Sequence, residues 1–219
     1  HGHTIGLEFK AEPNQILTGG RAMAIAKDGY FLTAAHCLDS PINYLVYFDG
    51  ETIRLEIPRM VSKCDDIAVI RLNVQSPDFF TLAQAGEIHQ NPLVFTVGNS
   101  ETKEISENHV LQQEICLAGK VQSIHSQANG IKKILSDLPV RNGDSGGGVA
   151  DENGRLLGIH SGTDFIKKSP IAVALHPDLN WVARVITQDR LSSVLEPPAT
   201  FQSVIDNQAK APILFIKFD

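Results

Sequence analysis

Three residue types that acyl transfer needs at neutral pH occur in short, distinctive segments of this chain. His36 lies in the run TAAHC, Asp66 begins the run DIAVI, and Ser145 lies in the run GDSGGG. A serine hydroxyl is a poor nucleophile without a base, and that base needs a third group that fixes its tautomer and stabilises its cation. We therefore expect Ser145 to be the nucleophile, His36 the general base and then acid, and Asp66 the orienting carboxylate.

The order and spacing of these residues restrict the fold. They are too far apart along the chain for local contact, so only tertiary structure can bring them together. The order His, Asp, Ser is informative because unrelated triads use other orders. Asp65 directly precedes Asp66 and competes with it for the role of the acid.

The glycines around Ser145 have an expected use. Gly143 has no side chain, so its backbone can adopt the conformation that points its N–H inward. Together with the N–H of Ser145, it is predicted to form an oxyanion hole, which stabilises the charge that develops on a carbonyl oxygen. Gly146 and Gly147 would allow the chain to pass closely behind the nucleophile.

Short apolar or alternating runs separated by turn residues predict that strands position these groups. DG at 28–29 and 49–50 and NG at 153–154 are strong hairpin signals. Such dense strand spacing favours antiparallel barrels. Near the end, Pro177 and Asp178 indicate the start of a helix, and Pro197 and Pro198 end the helical region. The predicted strands cover residues 4–9, 21–27, 30–35, 43–48, 52–57, 67–72, 93–97, 110–124, 131–138, 147–150, 156–161 and 171–175.

The runs AAHC at 34–37 and GDSGG at 143–147 resemble those of the trypsin/chymotrypsin-like serine proteases. The resemblance spans roughly residues 19–186. It implies an all-β fold of two antiparallel six-stranded β-barrels packed face to face, followed by a C-terminal helix. In this family the acid directly precedes an Ile-Ala-Val strand, which favours Asp66 over Asp65.

The resemblance also implies a division of the chain. A first barrel is expected over residues 1–78, carrying His36 and Asp66, and a second over 92–176, carrying Ser145. Residues 79–91 would connect the two barrels, and residues 177–219 would form the C-terminal helix and tail. All four segments would belong to one protease domain.

The same resemblance places the pocket for the residue before the scissile bond. Trypsin-like members bind Lys or Arg with an Asp six residues before the serine, and Pro139 stands there, so a basic preference is not expected. The run GIHSG around His160 is similar to the Gly-x-His segment of glutamyl endopeptidases and viral chymotrypsin-like proteases, which implies a Glu or Gln preference. A small or apolar preference is the alternative. Ser161 would also offer backbone groups to an extended substrate. The expected substrate-binding residues are Val140, Arg141, Asn142, His160, Ser161, Gly162 and Thr163.

Composition excludes several partners. The net charge of −6 argues against nucleic acid or an anionic membrane, and no apolar run is long enough to span a membrane. The histidines show no ligand spacing, so no metal and no cofactor are expected, and the partner is a protein or peptide bound in extended form. The oligomeric state is left open. The chain begins with His1, which suggests that a preceding segment has been removed.

Cysteine usage bears on stability and on localisation. The chain has three cysteines, Cys37, Cys64 and Cys116. Relatives pair the Cys after the catalytic His with one about 16 residues earlier, a place near Arg21 here, so this bridge is missing. The odd count favours free thiols. Export to the periplasm or secretion is slightly favoured over the cytosol.

Three other functions compete with an active serine endopeptidase. A catalytically silent protease-like module would bind peptides or a partner protein, but such modules usually lose a triad member. An α/β-hydrolase would need a helix after Ser145, and glycine-rich strand follows instead. A cysteine protease is disfavoured because Cys37 abuts the expected base in a predicted strand. An active protease could also cleave only its own precursor.

Overall fold

Antiparallel strands dominate the computed structural model, which describes residues 4–7, 20–39, 45–48, 53–56, 58–76, 78–89, 93–98, 102–106, 109–112, 115–141, 143–166 and 168–192. The strands of the first half are β1 (Thr4–Leu7), β2 (Gly20–Ala24), β3 (Tyr30–Ala34), β4 (Leu45–Phe48), β5 (Ile53–Glu56), β6 (Arg59–Cys64) and β7 (Ile67–Arg71). Those of the second half are β8 (Leu93–Gly98), β9 (Thr102–Ser106), β10 (His109–Gln112), β11 (Ile115–Ser126), β12 (Lys132–Ser136), β13 (Gly148–Asp151), β14 (Leu156–Ile166) and β15 (Ser169–His176). Two short 3₁₀ helices cover Ala35–Leu38 and Ala85–Glu87, and the α-helix α1 covers Leu179–Ser192.

The first half contains a five-stranded sheet in the order β1-β2-β3-β7-β6. Asp28 and Gly29 form the turn from β2 to β3, and Gly29 adopts a positive φ of 84°, as the sequence predicts for a hairpin. Ala34 at the end of β3 pairs with Ile67 at the start of β7. This register places the 3₁₀ helix that follows β3 beside the turn that precedes β7.

The second half closes into a six-stranded antiparallel barrel in the order β11-β12-β15-β14-β13-β8. The predicted all-β fold with a terminal helix is therefore confirmed, and so is a six-stranded barrel in this half. In the first half, the described strands form an open sheet, with β4 and β5 paired as a separate hairpin.

Some element bounds differ from those predicted. In place of the single strand expected over 110–124, the described residues form two strands, β10 and β11, which belong to different sheets. β14 continues five residues beyond its predicted end, to Ile166, because it keeps pairing with β15 as far as Ser169. Cys37 lies in a 3₁₀ helix and not in a strand.

The C-terminal helix begins as predicted and packs against both halves. Asp178 Oδ1 accepts the Asn180 N–H at 2.9 Å, and its carbonyl accepts the Val182 N–H at 3.0 Å, which satisfies donors of the first turn. One apolar cluster joins the sheet, the barrel and the helix, and includes Met23, Leu32, Ile159, Leu175, Trp181, Val182 and Ile186.

In the described residues, no helix is long and apolar enough to cross a membrane. The predicted domain boundaries stay a prediction.

Candidate active site

His36 and Asp66 meet at one end of the first sheet. The imidazole Nδ1 lies 2.8 Å from Asp66 Oδ2 and 3.0 Å from Oδ1, and the His36 backbone N–H donates to Oδ1 at 2.9 Å. The Ala35 N–H also donates to the Asp66 carbonyl at 3.1 Å. Hydrogen bonds thus join the backbone at 35–36 to Asp66, and the Asp66 carboxylate orients the imidazole through its Nδ1 atom.

Their charges favour this pairing. The hydrogen bond that Asp66 accepts from the imidazole and, to a lesser extent, the hydrogen bond with Cys37 raise the pKa of His36 well above its ordinary value of 6.5. Burial opposes ionisation of Asp66, but hydrogen bonds from His36 and Ser161 outweigh it and lower the pKa of the carboxyl group. The carboxylate therefore stabilises the imidazolium that forms when Nε2 takes up a proton. Asp65 adopts a positive φ of 54° in the turn before Asp66, and it is Asp66 that contacts the histidine.

A contact that the sequence did not suggest joins the two halves at this site. Ser161 on β14 donates from Oγ to Asp66 Oδ2 at 2.5 Å. From the sequence, only the backbone groups of Ser161 are expected to bind substrate. Its side chain orients the carboxylate from the opposite barrel, so the geometry of His36 depends on how the halves pack.

Ser145 lies on a loop that the first sheet holds by its backbone. The Ser145 carbonyl accepts the Arg21 N–H at 2.7 Å, and the Cys37 thiol lies 3.6 Å from the same oxygen. Because Cys37 follows His36 directly, this contact places the serine segment against the 3₁₀ helix that carries His36. The structure thus brings the three sequence-predicted segments into one region.

The residues after Ser145 leave no room for a side chain. Gly146 adopts a positive φ of 80°, and a Cβ there would overlap the Arg21 carbonyl oxygen. The Gly146 N–H donates to the His160 carbonyl, and the His160 N–H donates to the Gly147 carbonyl, both at 2.8 Å. These bonds fix the glycine segment against β14, as the expected close passage behind the nucleophile requires.

The loop that precedes Ser145 is closed by Asp144. Its Oδ2 accepts the Arg141 N–H at 2.7 Å, and its own N–H donates to the Arg141 carbonyl at 3.1 Å. Asp144 is 2% exposed. Gly143 between them has a φ of 96°, a conformation that favours glycine. Neither the Gly143 N–H nor the Ser145 N–H donates to another of the described residues.

His160 is buried in the second barrel. Its Nε2 lies 2.9 Å from Thr96 Oγ1 on β8, and its side chain is almost inaccessible. Burial lowers the pKa of His160 to about 4, so the ring is neutral at neutral pH. Nδ1 has no hydrogen-bond partner in the described part of the chain. Which atom donates in this contact depends on the tautomer of the neutral ring, and the tautomer in which Nε2 accepts carries its proton on Nδ1.

The other expected pocket residues differ in exposure. Val140 is half-buried and packs against the apolar interior of the second barrel, whereas Arg141 is exposed. Gly162 and Thr163 are exposed on β14. Asn142 lies outside the described residues. Within the described ranges, no group of three His, Cys, Asp or Glu side chains is placed to hold a metal ion, and the three cysteines are free thiols.

Comparison with known proteins agrees with this architecture. The family model of the trypsin-like peptidase domain matches residues 20–159, whereas no curated protein sequence matches the chain. The HtrA-type protease AlgW with a decapeptide superposes with a TM-score of 0.61 at 18% identity, over 84% of this chain and 64% of that chain. The same protease with a tripeptide gives 0.60 at 20% identity, over 88% and 60%. At these identities the likeness shows the fold, and this chain spans less than two thirds of the length of either structure.

Proposed function

The chain belongs to the family of trypsin-like peptidase domains, and on that premise we propose that it is a serine endopeptidase. The observation that carries the proposal is the contact of His36 Nδ1 with Asp66 at 2.8 Å, beside the Ser145 segment. That contact leaves Nε2 as the nitrogen that can take a proton from a hydroxyl. Membership of the family and the glycine loop around Ser145 support the same function.

The proposed reaction passes through an acyl-enzyme. Ser145 Oγ attacks the scissile carbonyl carbon while His36 Nε2 takes its proton, and Asp66 stabilises the imidazolium. The N–H groups of Gly143 and Ser145 bind the oxyanion. The C–N bond then breaks as His36 returns the proton to the leaving amine. Water, deprotonated by His36, attacks the ester and releases the acid and Ser145.

Labelling with a fluorophosphonate tests this proposal. The wild-type chain should be labelled once, on Ser145, and should cleave unfolded casein. Ser145→Ala should lose both properties and keep its circular dichroism and melting temperature. Ser192→Ala at the exposed end of α1 is the matched control and should behave as wild type. An intact fold without labelling or cleavage would instead support the alternative, a silent module that binds peptides.

We also propose a preference for an amide side chain, and to a lesser extent a carboxylate, before the scissile bond. Support comes from His160, whose Nε2 contacts Thr96 and whose Nδ1 has no hydrogen-bond partner among the described residues. The side chain is 2% exposed, so a substrate side chain reaches Nδ1 only when the residues around it shift. Because burial keeps this imidazole neutral, it can donate a hydrogen bond but cannot offset a buried negative charge. Gln should therefore be preferred to Glu, which refines the Glu/Gln expectation of the sequence.

Matched peptides that differ only at this position test the preference. Wild type should cleave after Gln about tenfold better than after Glu or Leu, judged by kcat/KM. Thr96→Val removes the hydroxyl that contacts Nε2 and should reduce the ratio of Gln to Leu, whereas Thr187→Val on the exposed face of α1 should preserve it. Equal rates for Gln and Leu in the wild type would instead favour the small or apolar alternative.

The proposed substrate is a polypeptide in extended form. The AlgW structures are described as holding a decapeptide and a tripeptide, and they share this fold. Here β14 pairs with β13 only as far as Ile159 among the described residues. The strand beyond it is therefore open to a peptide that adds by main-chain hydrogen bonds.

A further inference from the structure

The part of β14 that follows Ser161 is an exposed platform with an apolar end. Gly162, Thr163, Phe165 and Ile166 are all exposed, and Phe165 and Ile166 retain 67% and 42% of their accessible surface. A Cβ built on Gly162 would meet nothing within 4 Å. Because successive strand residues point to opposite faces, Phe165 and Ile166 each expose one large apolar side chain, on opposite faces of this strand.

This platform is held in place from its other side. β15 pairs with β14 to its end, where Phe165 opposes Pro170 and Ile166 opposes Ser169. Asp164 accepts a salt bridge from Lys133 on β12 at 2.7 Å. The projecting strand is therefore anchored to the barrel through both its backbone and a charged pair.

Asp164 also removes one backbone hydrogen-bond donor from the open edge of β14. Its Oδ1 accepts the Phe165 N–H at 2.8 Å. A peptide that pairs with the edge from Ser161 towards Thr163 therefore finds this backbone donor already used at Phe165. Contact at that point depends on the phenylalanine ring and not on main-chain hydrogen bonds.

We propose that Phe165 forms an upstream specificity site for the substrate, and that it binds an apolar side chain five residues before the scissile bond. Phe165 lies four residues beyond Ser161, about 13 Å along a strand at about 3.3 Å per residue. A peptide antiparallel to β14, with its residue before the scissile bond opposite Ser161, has its fifth upstream residue opposite Phe165. Cross-strand partners share a face of the sheet, so these two side chains contact each other.

The proposal deepens the proposed function and rests on it for the direction of the peptide. The occupant follows from continuity with the candidate cleft, because the apolar end lies on the same strand as Ser161, which contacts Asp66. The substrate class is accordingly unfolded protein segments that carry an apolar residue well upstream of the cleaved bond.

Cleavage of a proteome-derived peptide library tests the position directly. For the wild type, sites read by mass spectrometry should show Leu, Ile, Val and Phe enriched at the fifth residue before the cut, by about threefold to tenfold over the library. Phe165→Ser should abolish this enrichment and leave the preference next to the cut unchanged. The matched control is Phe79→Ser, since Phe79 is 47% exposed elsewhere on the surface, and it should keep the enrichment.

A binding measurement separates this proposal from the proposed function. Fluorescein-labelled unfolded casein should bind Ser145→Ala at least fivefold more tightly than the double variant that also carries Phe165→Ser. Adding Phe79→Ser should not change the affinity.

Cleavage by the wild type without enrichment at the fifth residue would overturn the upstream site alone. So would an enrichment that persists in Phe165→Ser. Casein binding that depends on Phe165, without any cleavage, would keep the site and contradict the peptidase proposal. Self-association lost in Phe165→Ser would identify a second copy as the occupant and overturn the proposal.

Discussion

Two carboxylates mark opposite ends of the same β3–β7 ladder and have different partners. Asp66 lies beside the pair Ala34 and Ile67 and contacts an imidazole that is half-exposed. Asp189 on α1 lies at the other end, where Tyr30 pairs with Arg71. Each carboxylate accepts several hydrogen bonds from other segments, so both connect distant parts of the chain.

The partners of Asp189 cannot change charge near neutral pH. Arg59 donates two hydrogen bonds to it at 2.7 and 2.6 Å, Tyr30 Oη donates at 2.8 Å, and Arg71 at 3.3 Å. Burial and the Asp189 carboxylate raise the pKa of Tyr30 to about 12. The cluster fastens α1 to three strands of the sheet. Asp66, in contrast, holds the imidazole that gains and loses a proton in the proposed function. Asp66 is therefore suited to the proposed catalysis and Asp189 to stability.

The largest expected effect comes from the end of the ladder that carries Asp66. Asp66→Asn should reduce kcat/KM by about 10⁴, because the amide does not stabilise an imidazolium and favours the wrong tautomer of His36. The melting temperature should change by only a few degrees. Cleavage assays and thermal unfolding of the same preparation measure both quantities. A large loss of stability with modest loss of activity would reverse the roles assigned to the two ends.

At the other end, Asp189→Ala should lower the free energy of unfolding by about 2–3 kcal/mol, since it leaves Tyr30 and two arginines without this acceptor. Chemical denaturation gives the value. Cleavage at low temperature should stay within about twofold of wild type. Asp28→Ala is the control: its pair with Arg190 is solvent-exposed, and its loss should cost less than about 1 kcal/mol.

Acid should reduce the contribution of Asp189 to the free energy of unfolding. The Arg59 hydrogen bonds lower the pKa of Asp189 to about 2, below its ordinary 3.8. The folded state therefore binds fewer protons than the unfolded state in this range. Its stabilisation is complete above about pH 4 and is lost as the pH falls towards 2. The contribution is at most about 2 kcal/mol, reduced by the solvent exposure of Arg59. Asp189→Asn should flatten this part of the stability profile measured by urea denaturation, and an unchanged slope would contradict it.

The smallest effect is spectroscopic. In Ser145→Ala, NMR titration should show that His36 loses its proton above pH 6.5, because Asp66 stabilises the imidazolium. Asp66→Asn should move the midpoint back towards 6.5, whereas Asp189→Asn should leave it in place. If Asp189→Asn also changed the His36 midpoint, the two ends of the β3–β7 ladder would be coupled.

Much of the architecture was predictable because its signals are local. The turns at Gly29 and Gly154 require positive φ, and Asp178 starts α1 with a capping side chain, so each is visible in a few residues. The extension of β14 beyond residue 161 was not predictable, because Thr163 and Phe165 are exposed and the segment shows no alternation of buried and exposed residues. The strand persists there through pairing with β15, which lies outside any local window.

For the candidate site, the residue types and their order pointed to His36, Asp66 and Ser145. They could not show that Ser161 reaches Asp66 from the other barrel, that Thr96 engages His160, or that α1 is attached through Asp189. The sequence by itself determined an all-β chain with a family-typical set of reactive groups, since hydrophobic period, turn residues and glycine-framed motifs are local properties. Only the tertiary structure decided which side chains form hydrogen bonds with each other, because bonds between residues so far apart in the sequence depend on how the two halves pack.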